Sequence, residues 1–322
     1  VSPRALILGA GGFIGSHLAR HLLGSGWEVT GVVRDASSPV VARRLQGIGG
    51  AMRLVGADAA VPEMLDRLVA GQDAVFPFAG RSGAAASMQA PIEDLEANGR
   101  GQLAVLEALR RHNRDARVVF PGSRLQYGRC EGLPVSEDHP QRPISIYGLH
   151  KSLGEQYHRF YRATHGIPAT MLRISNPYGP LQDRPDAHFG VVGTFLARAA
   201  RGQEIQLYGG GLQLRDYLYI DDLSRLCELA VTHPAAIGEV FNASGPAPVS
   251  LQQMAEAVVV TVGRGRVVSA DWPADAASVE TGDYFGDTGR AARLLGWVPE
   301  VGLLDGLAST WAELSPTLAA AG

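Results

Sequence analysis

The sequence predicts an α/β fold, a doubly wound parallel sheet with a smaller C-terminal lobe. Short apolar runs alternate with helix-length segments up to about residue 175, the pattern a parallel sheet requires because each crossover carries a helix. Beyond that point the texture turns Gly-, Pro- and Tyr-rich, as in loops that carry function. With 322 residues, the chain has room for two units of roughly 150 residues, or one large unit with a lobe.

Ala5 to Leu8 is an apolar run that ends at Gly9, and Val29 to Val33 is another. Between them Ile14, Leu18, Leu22 and Leu23 fall at helical spacing, giving strand, helix, strand. Met52 to Val55, Ala74 to Phe78 and Arg117 to Phe120 continue the strand series, separated by segments such as the helical Leu103 to Arg111. Met171 to Ser175 is the next strand, and the loop-like stretch Asn176 to Pro185 opens the second lobe. Leu218 to Ile220 and Val240 to Ala243 are again strand-like, so the chain is expected to cross between lobes more than once.

Apolar residues make up 46% and charged residues 19% of the chain, the balance of a globular protein with a core to bury. A net charge of -3 from 29 basic and 32 acidic residues provides no overall basic field for nucleic acid or anionic lipid. Cys130 and Cys227 stand far apart with no Cys-x-x-Cys or His-rich context, which excludes a disulfide framework and a thiolate metal site. No apolar run approaches the roughly 18 to 20 residues that span a bilayer, and the first strand leaves no room for a signal peptide, so a cytoplasmic protein is expected. His150 and His139 lack a second ligand at metal spacing and read as surface or loop residues. Asp221 and Asp222 stand directly before the apolar helix from Leu223 and read as its caps.

The run Gly9-Ala10-Gly11-Gly12-Phe13-Ile14-Gly15 places glycines three apart between a strand and a helix. A pyrophosphate can then meet bare backbone N–H groups and the positive end of the helix, the opening of a Rossmann-type dinucleotide domain. Gly9, Gly12, Phe13, Ile14 and Gly15 are therefore candidate cofactor contacts; the other reading is a tight turn. Where the second strand meets the adenosine ribose, an acid would bind the 2′-hydroxyl, but the chain reads Val33-Arg34-Asp35. Arg34 leans towards NADP, and Asp35 one step on leaves NAD open.

Tyr147 and Lys151 lie four apart, on one face of a helix. An ammonium beside a phenol favours the phenolate, a base able to take a proton from an alcohol or return it to a carbonyl.

With these two patterns, the segment Ser123-Arg124-Leu125-Gln126-Tyr127-Gly128 resembles the nucleotide-sugar branch of the extended short-chain dehydrogenase/reductases. The similarity continues through Asn98, the run Arg173 to Pro180, Arg215-Asp216-Tyr217 and Leu295-Gly296-Trp297-Val298-Pro299. The resemblance implies that Tyr147 is the acid/base, that Lys151 lowers its pKa and holds the nicotinamide ribose, and that Ser123 hydrogen-bonds the reacting sugar oxygen. It makes Asp58, Ala79 and Asn98 further cofactor contacts, Asp58 otherwise being a turn residue that caps the next helix. Asn176 and Arg215 would hold the diphosphate of a nucleotide-sugar substrate. Against that, Arg215 has an alternative pairing with Asp216 or Asp221, and Asn176 an alternative role turning the loop before Pro177.

Three departures matter. Dehydratases of this branch carry an acid pair where Arg124 and Leu125 stand, which demotes dehydration. Glu280 stands where several members have a phosphate-binding arginine. The usual His-Leu-Ala-Ala reads Pro77-Phe78-Ala79-Gly80.

The expected division is 1–177 for the NAD(P)-binding domain, with 217–245 returning to it, and most of 178–322 for a substrate-binding lobe. The resemblance leaves two reactions open. One is epimerisation of a nucleotide sugar, most often at C4, by transient oxidation to a keto sugar and hydride return on a retained NAD. The other is NADPH-dependent reduction of a nucleotide-linked keto-deoxysugar, which Arg34 favours. A non-catalytic NADP-binding sensor is a third class, against which the Ser123, Tyr147 and Lys151 set argues. A homodimer through the helices of Leu103 to Arg111 and Tyr147 to Phe160 is expected from the same resemblance, unless Leu103, Leu106 and Leu109 face the sheet.

Overall fold

The computed structural model describes residues 1–58, 61–182, 190–273 and 277–319. Seven parallel strands form the main sheet: β1 (Arg4–Leu8), β2 (Glu28–Val33), β3 (Arg53–Gly56), β4 (Ala74–Pro77), β5 (Arg117–Ser123), β6 (Ala169–Ile174) and a last strand, Val240–Ala243. Across the sheet the order is Val240–Ala243, β6, β5, β4, β1, β2, β3. The chain starts in the middle, works outward to β3, and returns to β4 on the other side of β1. That reversal opens a crevice at the carboxyl ends of β1 and β4, where ligands of such sheets bind.

The unbroken apolar run of β1 has a direct cause. Side chains alternate across a strand, and Ala5 and Ile7 enter one core while Leu6 and Leu8 enter the other. On the first face the helices Phe13–Gly24 and Ile220–Thr232 contribute Leu18, Leu22, Leu223 and Leu226. On the second the helices Pro62–Val69, Gly101–His112 and Ile146–His165 contribute Leu65, Leu106, Leu109 and Tyr161. Leu106 and Leu109 thus face the sheet and are not free for a second copy.

β5 runs three residues past its expected end at Phe120, because Pro121, Gly122 and Ser123 pair with Leu172, Arg173 and Ile174. Ser123 is thereby set at the strand's carboxyl end, at the crevice. Val240–Ala243 pairs with β6, whereas among the described residues Leu218–Tyr219 pairs only with Pro177–Tyr178, outside the main sheet.

The following helix begins at Ile220, so Asp221 and Asp222 lie inside its first turn and do not cap it. Asp222 instead accepts the N–H groups of Glu300 and Val301 at 3.0 and 2.9 Å. The indole of Trp297 donates to its carbonyl at 3.0 Å. The Leu295-Gly296-Trp297 motif therefore closes a helix at Gly296, in the left-handed region at φ +66, and anchors the chain to the first core.

The smaller lobe has its own core around Phe195, Leu196, Leu207, Met254, Val258 and Leu307. Its strands Glu204–Tyr208 and Arg266–Ala270 pair in parallel, and Leu214–Asp216 pairs antiparallel with Pro248–Ser250. Of the loop Asn176 to Pro185, residues 183–185 lie outside the described residues. Its first part is tied to the sheet side by His17 Nε2 against the Pro180 carbonyl at 2.8 Å and by Arg44 Nε donating to the Leu181 carbonyl at 3.1 Å. Among the described residues no helix is long and apolar enough to cross a membrane.

Candidate active site

The crevice is lined on one side by backbone. Gly9 sits at φ +87, and a Cβ there would come within 2.8 Å of the Ala79 nitrogen. A Cβ on Gly15 would stand 2.2 Å from the Gly9 carbonyl, and Gly12 N–H donates to that same oxygen at 2.9 Å. Gly9 and Gly15 admit only glycine without backbone movement, while a Cβ on Gly12 would press on the Gly9 carbonyl at 3.1 Å. The helix Phe13–Gly24 starts with no side-chain cap, which leaves its first N–H groups and positive end to a ligand's oxygens. A cradle that excludes side chains and offers N–H groups fits a dinucleotide pyrophosphate.

Arg34, Asp58 and Ala79 line one end of this crevice beside Gly9 and Gly12. Asp35 does not share that wall: its carboxylate accepts the backbone and hydroxyl hydrogens of Ser37 at 2.9 and 2.6 Å, and those bonds hold it below the usual carboxylate range. The helix after Asp58 has Val61 at its cap position. Asn98 is buried behind the loop, where its Nδ2 donates to the Arg81 carbonyl at 3.1 Å and its Oδ1 stands against Gly80. It shapes the wall from behind.

The crevice widens into a cavity of about 560 Å³ lined by Phe13, Ile14, Ser123, Arg124, Tyr147, Lys151 and Asn176, among others. That size suits a small-molecule ligand. Tyr147 arrives there because Ser145 caps the helix Ile146–His165, its hydroxyl accepting Gly148 N–H at 3.2 Å. Gly148 lets the helix press against the turn Arg124–Gln126 that follows β5, since a Cβ there would lie 2.4 Å from the Leu125 carbonyl. Ser123 caps the turn Arg124–Gln126: its Oγ accepts Leu125 N–H at 3.2 Å, and Gln126 Oε1 accepts Ser123 N–H at 2.7 Å. Gln126 is in turn held by the buried Glu155, which Arg173 grips through two hydrogen bonds of 2.9 and 2.8 Å. Nothing in the local spacing announced this support beneath Ser123.

The electrostatics correct one expectation. Burial pushes the Tyr147 phenol up to about 12, and the hydrogen bond with Ser123 works against that rise. The Lys151 ammonium does not bond the phenol; it donates to the Pro121 carbonyl at 2.7 Å and stands 5.6 Å from the centre of the Tyr147 ring. Burial pulls Lys151 itself down to about 8, opposed by the Asp94 carboxylate. In the chain alone, desolvation leads and the Asp94 carboxylate adds to the rise of the phenol. His150, expected at the surface, is buried, with Nδ1 2.7 Å from Asp94 Oδ1.

On the far wall and behind it, side chains bond one another and the backbone. Asn176 Nδ2 donates to the Asp216 carbonyl at 2.8 Å. Arg215, expected to face the substrate, donates through Nη1 to the carbonyls of Leu214 and Gly282 at 2.7 and 2.6 Å and through Nη2 to the Glu280 carboxylate. Its pairing is with Glu280, not with Asp216 or Asp221. Arg124, not among the site residues expected from the sequence, lines the cavity beside Ser123. Its place directly after Ser123 was the available signal.

A model of the NAD dependent epimerase/dehydratase family matches residues 5–244. The dTDP-glucose 4,6-dehydratase of Streptomyces griseus is 32% identical over 96% of this chain and 93% of its own length. The UDP-glucose 4-epimerase of Mycolicibacterium smegmatis is 30% identical over 95% of this chain and 97% of its own. The crystal structure of the UDP-glucose 4-epimerase of Thermotoga maritima with UDP-glucose superposes with a TM-score of 0.89 at 29% identity, covering 98% of this chain and 99% of that one.

Proposed function

The chain belongs to the NAD dependent epimerase/dehydratase family, and from that premise we propose that it is an NAD(P)-dependent epimerase of a nucleotide-linked sugar, acting at C4. The observation that carries this reading is the convergence of Ser123, Tyr147 and Lys151 on the wall of the cavity that the glycine cradle opens. Arg124 and Leu125 offer no carboxylic acid beside Ser123, which weighs against the dehydration performed by the Streptomyces griseus relative.

The cradle residues Gly9, Gly12 and Gly15 would hold the pyrophosphate of the cofactor, Arg34 and Asp58 its adenosine end, and Lys151 its nicotinamide ribose. When bound, the nicotinamide supplies the hydride acceptor and donor. Tyr147 takes the proton from the sugar hydroxyl and later returns it to the same oxygen, acting as base and then as acid. The Ser123 hydroxyl, held by Leu125 N–H, hydrogen-bonds the reacting oxygen and the phenol. Inversion follows when the keto sugar presents its other face before the hydride returns. Residues 1–177 and 217–245 hold the cofactor in this reading, and most of 178–322 closes over the sugar nucleotide.

Arg34 at the adenosine end favours a second reading, an NADPH-dependent reductase of a nucleotide-linked keto-deoxysugar. A homodimer is also proposed, through the exposed Ile92, Leu149 and Phe160 on two neighbouring helices.

The test is incubation with UDP-glucose or dTDP-glucose, followed by NMR of the sugar. C4 inversion without net oxidation, lost in Tyr147→Phe by about 10²–10⁴-fold in kcat, supports the epimerase. No inversion, with NADPH consumed on a 4-keto sugar nucleotide, places the reductase first.

A further inference from the structure

Arg124 is a cation on the cavity wall whose partners are all neutral. Its Nε donates to Asn176 Oδ1 at 3.4 Å, its Nη1 donates to Thr281 Oγ1 at 3.0 Å, and its guanidinium lies 5.4 Å from the centre of the Tyr284 ring. Among the described residues its Nη2 makes no hydrogen bond. Withdrawing a guanidinium from water without a paired anion is costly, and here burial pulls its pKa down to about 10, with Arg215 adding repulsion.

The neighbouring acids do not balance it. Glu280 is taken by Arg215. Asp216 acts on Arg124 only through space, its Oδ2 accepts Gly286 N–H at 3.1 Å, and burial pushes its carboxyl up. The charged groups around the far wall thus leave one guanidinium uncompensated, next to Ser123 and in reach of whatever enters the cavity.

We infer that Arg124, and not Arg215, is the residue that grips an oxyanion of the substrate. The inference rests on the nucleotide-sugar reading above. The planar fork of a guanidinium suits two oxygens of a phosphate or a carboxylate. A sugar nucleotide has two places for such a group: the diphosphate that every one carries, or a carboxylate on the sugar itself. In either case Arg124 positions the substrate against Ser123, and Asn176 and Thr281 aim the guanidinium.

Calorimetric titration of the cofactor-loaded protein with UDP, dTDP, UDP-glucose and UDP-glucuronic acid separates the cases. In Arg124→Met, affinity should fall about tenfold or more. If the diphosphate is the anion, all the ligands that bind weaken together. If it is a sugar carboxylate, only UDP-glucuronic acid weakens and the others hold. In Arg124→Lys, which keeps the charge but not the fork, the same ligands weaken by about threefold or more. That variant decides the matter should the methionine variant fail to fold. Affinities within twofold of wild type in the variants overturn the inference while leaving the nucleotide-sugar reading in place. A wild-type protein that binds none of the four overturns that reading, and the inference with it.

Discussion

At the glycine loop the crevice presents backbone, and where it widens into the cavity side chains carry the chemistry. Gly9, Gly12 and Gly15 belong to one short loop, and at Gly9 and Gly15 a Cβ would collide with backbone. Arg124, Asn176, Arg215 and Glu280 come from segments far apart in sequence and are placed by bonding to one another or to their neighbours' carbonyls. A site made by excluding side chains can be read as a spacing. A site made by choosing partners cannot, because no spacing says which cation takes which carboxylate.

The largest expected effect sharpens the first half of that contrast. Gly15→Ala forces its Cβ onto the Gly9 carbonyl, and neither backbone can yield without opening the cradle. Fluorescence titration with NAD or NADP should show affinity reduced by at least about tenfold, while Gly24→Ala, whose Cβ would meet nothing, leaves binding unchanged. Equal affinity in both variants would mean that the loop's glycines are dispensable.

The next prediction probes the second half. Arg215 and Glu280 are mutual partners with little exposure, so a double-mutant cycle of Arg215→Met and Glu280→Gln, followed by denaturant unfolding, should give a coupling of about 1–3 kcal/mol. Arg215 free to serve the substrate would instead show no coupling with Glu280 and a large loss of ligand affinity on its own.

The smallest effect lies outside both walls, in the helix that carries Tyr147. His158 is fully buried, its Nδ1 bonds the Gly154 carbonyl at 2.9 Å, and burial lowers its pKa from 6.5 to about 4. A folded-state value below the unfolded one means the unfolded chain takes the proton first. The contribution of neutral His158 is therefore intact above about pH 6.5 and is lost as pH falls towards 4, by at most about 1.4 kcal/mol per pH unit. Unfolding midpoints measured at pH 7 and pH 5 should converge in His158→Gln relative to wild type, and an unchanged pH slope would contradict this.

The sheet was legible because its inner strands are buried on both faces and so read as apolar runs, as β1 does. Strand ends were less so: the pairing of Pro121 to Ser123 with β6 continues β5 through residues whose types argue for a loop. Leu218–Tyr219 has strand composition, but among the described residues only Pro177–Tyr178 is there to pair with it. In the site, the cradle and the Tyr147/Lys151 face followed from spacing. Ser123, Asn98, Asn176 and Arg215 came through resemblance alone, and the structure moves two of them off the wall, Asn98 behind Gly80 and Arg215 onto Glu280. His150 looked like a surface residue because its partner, Asp94, lies on a different helix. The Tyr147 phenol was expected low because a charge is visible in a sequence and burial is not.

The most direct test of the proposed epimerase is to denature the freshly purified protein, with no cofactor added, and identify the released nucleotide by mass spectrometry. An enzyme that returns the hydride to its own substrate should carry near-stoichiometric NAD. Protein that comes out empty and then binds NADPH much more tightly than NADH would contradict the epimerase, because a reductase must exchange its cofactor at every turnover.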